Sequence, residues 1–173
     1  MPELFPWFLL LHVLGAIIAF GPTFAFPIIG AMGGREPMHA NFATRVSHTV
    51  NDRLVEPVAA SMAVTGVAMI WSAGINPFAP DYRWLLVAIG IYVFALAFAV
   101  FVQRPIGKRV IELTGGDRGA AGAPAPPTAD GAPAGPPPAL ASAIGAMQRN
   151  GMILTLALVA IVFLMVVKPS LGG

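Results

Sequence analysis

Between Glu3 and Arg35 the chain carries no charged residue. A helix needs roughly 20 apolar residues to cross the hydrocarbon core of a bilayer, so this stretch is long enough to span one. The pattern recurs three more times. The expected spans cover about 4–31, 57–73, 84–102 and 151–167. Lipid offers no hydrogen bonds, so each span must satisfy its own backbone, and apolar runs of this length do so as helices. Barrel strands would be shorter and would alternate in polarity. The expected fold is therefore all-α: a four-helix transmembrane bundle with cytoplasmic helical extensions, two antiparallel helix pairs being the coarse plan.

Composition agrees. The chain is 57% hydrophobic and 10% charged, against about a quarter charged for a soluble domain. Its mean hydropathy is +0.77. That much apolar surface cannot be hidden inside one small globule, which leaves much of its surface exposed; the lipid bilayer is its natural partner. With no cysteine, disulfides, zinc–thiolate sites and thiol chemistry are excluded. Met1-Pro2-Glu3 lacks a positive n-region, and the apolar stretch that follows is too long for a signal h-region. It is expected to remain as a membrane helix.

Prolines punctuate the spans. Gly21-Pro22 and Pro27 are expected to bend the first. Asn76-Pro77 and Pro80 end the second, and Lys168-Pro169 stops the fourth. Residues 35–56 have helical character and lead into the second span. Residues 103–114 extend the third. Residues 115–138 are rich in Gly, Pro and Ala. Such a composition cannot bury a core, so a disordered linker is expected there. Ala139–Asn150 then starts the last helix.

Charge placement sets an expected orientation. The first and third connections hold Arg35, Arg45, Arg53, Arg104, Lys108, Arg109, Arg118 and Arg149, whereas the other side holds only Arg83 and Lys168. The positive-inside rule puts the first group in the cytoplasm and both termini outside, in the periplasm for a bacterial inner membrane. Trp7, Trp71, Tyr82 and Trp84 cluster near the outer span ends, where interfacial aromatics belong. Topology thus accounts for the basic residues, and nucleic-acid binding is not indicated. The same residues can touch anionic headgroups.

His12 is the sharpest chemical feature. An ionisable side chain within a span is a functional candidate by default. Gly15, Ala16 and Ala19 follow at helical spacing, giving a face that admits another helix or a flat cofactor. The plainer reading is a neutral imidazole hydrogen-bonded to a neighbouring helix. Counting about 13 Å of depth at 1.5 Å per residue brings Met69 and Tyr92 to the same layer. Tyr92 would then hydrogen-bond His12. If haem b is bound, His12 is its ligand and Met69 a second axial candidate, since His/Met is a known pairing. Methionine is more often a gap-filler.

A second constellation comprises Arg45, His48, Asp52 and Glu56. Offsets of three, four and four put all four on one helix face. They form either a polar relay or binding patch at the cytoplasmic mouth, or an interfacial helix with paired charges. The same depth argument separates His48 from His12, so the two cannot clamp one haem within a chain. His39, near Pro37, reads as solvated. No Walker loop, H-E-x-x-H or G-x-S-x-G is present.

The segments L-H-V-L-G-A-I-I-A-F-G-P (11–22) and F-L-M-V-V-K-P (163–169) resemble a bacterial family of predicted integral membrane proteins, a domain of unknown function with four spans. That resemblance implies a four-helix inner-membrane protein and carries no reaction. More distantly, the first-helix histidine with its small residues is similar to the copper-resistance D proteins and the haem-containing membrane protoporphyrinogen oxidases. It implies His12 as a haem ligand, without a second-ligand motif. Three functions stay open: a haem-binding or redox protein using His12; a small proton, ion or solute transport component using His12 and Glu56; or a non-catalytic subunit of a homo-oligomer or membrane complex.

Overall fold

The computed structural model describes residues 2–115 and 137–169. Most of the expected 115–138 linker lies outside them. Among the described residues there is no strand. Six α-helices carry the fold: α1 (Phe5–Arg35), α2 (Ala40–Val50), α3 (Glu56–Ser72), α4 (Arg83–Phe98), α5 (Arg104–Leu113) and α6 (Pro138–Val167). A π-helical turn, Asn51–Val55, joins α2 to α3, and another, Ala99–Gln103, joins α4 to α5. Four continuous helices result: Phe5–Arg35, Ala40–Ser72, Pro80–Leu113 and Pro138–Val167, each long and apolar enough to cross a membrane. Pro22 and Pro27 stand inside α1, which is helical through both.

Two seams run along the spans. In one, α1 packs against α3; in the other, α4 packs against α6, and the two pairs touch each other sparingly between their ends. Small residues make the first seam close. Ala19 is fully buried, and a methyl added at Gly15 would stand 3.1 Å from Met62 Cγ. The second buries Leu85 and Ala88 with Ala157, Leu158, Ile161 and Leu164. On α6 the buried positions Ala143, Asn150, Ala157 and Leu164 recur at heptad spacing, one stripe on an otherwise apolar cylinder. Most other large apolar side chains on the spans are exposed, which only lipid or a partner helix can solvate.

The second helix has 33 residues, about 50 Å at 1.5 Å per residue, far beyond the ~30 Å hydrocarbon core. The surplus forms a smaller bundle at one end, where α2 packs on α1 and α5, and α5 packs in turn on α6. This end carries Arg35, Arg45, Arg53, Arg104, Lys108, Arg109 and Arg149 and is here called the basic end. Its helices α2 and α5 are amphipathic, unlike the spans. Val110 is its most buried large side chain. Asn41 of α2 donates to the Ile111 carbonyl and the Thr114 hydroxyl, tying down the end of α5.

At the opposite end the turns are short. Gly74 takes φ 65°, and Ile75 N–H donates back to the Ile70 carbonyl, closing α3 with a left-handed cap. Asn76 Oδ1 accepts from Phe78 N–H. Lys168 also takes a left-handed φ, 48°; Pro169 follows and α6 stops. Its ammonium lies 5.8 Å from the centre of the Trp84 ring, joining the ends of α6 and α4.

Candidate functional site

The two π-turns share one cause. Proline has no N–H and crowds the preceding turn. At Pro57 the Arg53 carbonyl therefore loses its usual donor, and Glu56 N–H reaches back five residues to Asn51 instead of four. Pro105 does the same in the next helix, where Arg104 N–H bonds Ala99. Each break thus reads as a π-turn, a charged residue and a proline. The two run antiparallel at the same level, and their charges are opposite. Turns of this kind are frequent at functional sites.

The charged residues meet. Arg104 Nη1 lies 3.6 Å from Glu56 Oε2, and Nη2 lies 3.1 Å from Asp52 Oδ2. That same Asp52 oxygen is 3.3 Å from His48 Nδ1. Asn51 Nδ2 donates to Glu56 Oε1 at 2.7 Å. Side-chain exposures are 14% for His48, 18% for Asp52, 12% for Glu56 and 38% for Arg104. The His48 ring packs close against α5 because residue 107 is glycine: a methyl there would stand 2.8 Å from its Cδ2. Gln103 Nε2 donates to the Met147 carbonyl and links the joint to α6.

Four buried atoms of this region have no hydrogen-bond partner: His48 Nε2, Asp52 Oδ1, Gln103 Oε1 and Arg104 Nε. Such atoms cost about 1–3 kcal/mol each when left unpaired. These atoms lie beside the two π-turns, where the spans run on into the smaller bundle of the basic end.

His48, Asp52 and Glu56 thus come together on one face. Arg45 is exposed and lines a shallow surface groove with Phe42, Val46, Thr49 and Val50. Arg104, Asn51, Gln103 and Gly107 join the network without having been singled out in the sequence. A signal existed: Arg104-Pro105 mirrors Glu56-Pro57.

His12 occupies a different setting. Its Nδ1 lies 2.8 Å from Thr65 Oγ1, and the ring covers Gly66, where a methyl would stand 3.6 Å from its Cε1. The Thr65 hydroxyl has one proton and two acceptors within reach, His12 Nδ1 and the Met62 carbonyl at 3.1 Å. With that proton on the Met62 carbonyl, Thr65 accepts from His12 Nδ1–H and the neutral ring keeps its lone pair on Nε2; with it on Nδ1, the ring proton sits on Nε2. The expected Tyr92–His12 hydrogen bond is not formed. Tyr92 instead donates to the Ala59 carbonyl at 2.6 Å, six residues or about 9 Å nearer the basic end than Thr65. Equal depth from the outer span ends therefore does not bring Tyr92 to the layer of His12: its partner Ala59 lies well below Thr65 on α3. Met69 stands one turn beyond Thr65. His48 lies seventeen residues before Thr65 on the same continuous helix, about 25 Å away along the axis, so the two histidines do occupy separate layers.

No group of three or more His, Asp or Glu side chains among the described residues is arranged to hold a metal ion. No curated protein and no solved structure matches this chain. One family profile does, from residue 7 to residue 169 and through all four apolar helices, and the chain therefore belongs to that family of predicted integral membrane proteins, DUF2269.

Proposed function

We propose that this protein is a transport component that passes a proton or small cation through a bacterial inner membrane, with the basic-end network as its working site. The matched breaks carry the reading. Two antiparallel neighbours each interrupt their helix at the membrane edge, and Glu56 and Arg104 meet there. Transport proteins build ion sites where apolar helices are discontinuous; here each helix runs on but gives up one backbone hydrogen bond at a proline beside a charged residue. Charged groups so close to lipid are costly and tend to be kept for function.

The test is flux in liposomes. Purified protein should raise proton or monovalent-cation flux above that of empty liposomes, and Glu56→Gln should return it to the empty level. No flux above the empty control would sink the reading. The positive-inside rule puts the basic end in the cytoplasm. Since the chain has no cysteine, single cysteines report this directly: an impermeant thiol reagent on intact cells should label Phe78→Cys and spare Ala141→Cys.

A second reading comes from His12. In the tautomer whose Nδ1–H is given to Thr65, Nε2 can be offered to a metal, as in most metal-binding histidines, and a haem iron is the ligand class this would suit. The donor atom fits. Space in the seam does not, because Met62 fills the gap at Gly15 and the imidazole itself fills that at Gly66. Met69 would be the second-ligand candidate of this reading and Tyr92 a flanking residue. A Soret band in protein purified from haem-replete cells, lost in His12→Ala, is its expected signature; its absence would end it.

A further inference from the structure

The continuous helix Ala40–Ser72 sorts its charges by side. Its carboxylates are Asp52 and Glu56, and its guanidiniums are Arg45 and Arg53. Both carboxylates turn inward to Arg104. Both arginines are exposed. The outward face of α2 and its π-turn thus carries two cations, while the acidic groups of the same helix lie on the other side. Arg45, Thr49 and Arg53 follow at offsets of four, which stacks them along one face. Arg45 and Thr49 line the shallow groove with Phe42, Val46 and Val50.

The far end of the same helix sets the height of this face. Trp71 is exposed near the end of α3, as a ring at the membrane interface should be. Arg45 lies twenty-six residues before it, about 39 Å along the axis at 1.5 Å per residue. A bilayer measures about 40–45 Å with its headgroup layers included. Arg45 therefore stands among the headgroups of the opposite leaflet, and Val46, Thr49 and Val50 lie just on its hydrocarbon side. Arg53 starts two turns deeper, and its long stem can lift the guanidinium toward the same layer.

We infer that this face binds an anionic phospholipid. The two guanidiniums and the Thr49 hydroxyl supply hydrogen-bond donors to the headgroup phosphate. Val46 and Val50 face the start of the acyl chains. A zwitterionic headgroup would bring a further cation to a face that already carries two. The inference goes beyond the cation-transport reading and does not depend on it.

Thermal unfolding of the full chain in a neutral detergent tests this, with lipid added at fixed ionic strength. Dioleoylphosphatidylglycerol should raise the midpoint saturably, and dioleoylphosphatidylcholine, with the same chains, should not. Glycerol phosphate alone should also leave it unchanged, because the apolar side of the groove needs a lipid. Replacing both arginines, Arg45→Gln with Arg53→Gln, should weaken the apparent affinity roughly 30-fold, from the usual contribution of two cations at an anionic surface. Lys108→Gln with Arg109→Gln removes the same charge from exposed positions on α5 and should change it less than twofold. Equal stabilisation by the two lipids would overturn the inference. So would equal weakening by the two double variants, which would mean diffuse attraction to the whole basic end. A saturable shift from glycerol phosphate matching that of the lipid would overturn it too, pointing to a free-phosphate site.

Discussion

His12 and His48 are imidazoles in one chain with contrasting surroundings. His12 meets a hydroxyl on the neighbouring helix, its ring seated on a glycine in a seam of small residues. His48 meets a carboxylate one turn along its own chain, its ring also seated on a glycine, in a network with idle atoms. Only the second seat depends on its glycine: a methyl at Gly66 would meet the His12 ring at an ordinary 3.6 Å, whereas one at Gly107 would stand 2.8 Å from His48. The first arrangement joins two helices. The second holds two carboxylates and a guanidinium where the backbone is broken twice. The difference separates a single polar contact between two spans from a charged cluster that ties several helices together.

The comparison is tested most severely at Arg104. Arg104→Leu leaves Asp52 and Glu56 close together and largely buried without their shared cation. Removing one partner of a buried ion pair costs about 3–5 kcal/mol; partial exposure of Arg104 brings the expected loss to roughly 2–3 kcal/mol. Equilibrium unfolding in mixed micelles measures it. Adding Asp52→Asn should restore more than half of the loss. An additive double mutant would mean that the contacts seen here carry no coupling energy.

Much of this architecture was legible in the sequence, for a physical reason. Lipid forces every backbone group to pair within its own helix, so the four spans follow from hydropathy alone. The convergence of His48, Asp52 and Glu56 was legible too, because offsets of three and four stack side chains within one helix. Arg104 was not, since its place opposite Glu56 depends on how the third crossing helix is shifted against the second. The same ignorance of register put Tyr92 beside His12. Apolar side chains packing in an apolar solvent leave little trace of which turn faces which.

A smaller effect is expected at Gly107. Alanine is the better helix former by about 1 kcal/mol, but its methyl would stand 2.8 Å from His48 Cδ2, and overpacking typically costs 1–3 kcal/mol. Gly107→Ala should therefore destabilise by up to about 2 kcal/mol. In a His48→Ala background the clash is gone and only the propensity gain remains, so the same change should stabilise. Failure of the sign to reverse would remove the His48–Gly107 seat from the description of the site.

The smallest effect belongs to the seam inside the bilayer. Thr65→Val keeps the shape and removes the hydroxyl that His12 uses. Hydrogen bonds between membrane helices average about 0.6 kcal/mol and reach about 1.7, because the separated helices also find partners. The expected loss is therefore under about 1 kcal/mol, well below that for Arg104→Leu. The outcome also discriminates between roles for His12. If the imidazole only joins α1 to α3, Thr65→Val should change stability slightly and nothing else. If Nε2 holds a metal, losing the hydroxyl frees the ring to change tautomer and orientation. Metal affinity should then fall about 10–100-fold, as it does when the outer partner of a ligating histidine is removed. A stability loss above 2 kcal/mol with no bound metal would fit neither role. It would mean that the seam depends on this one hydrogen bond more than on the close approach of Gly15, Ala19 and Gly66.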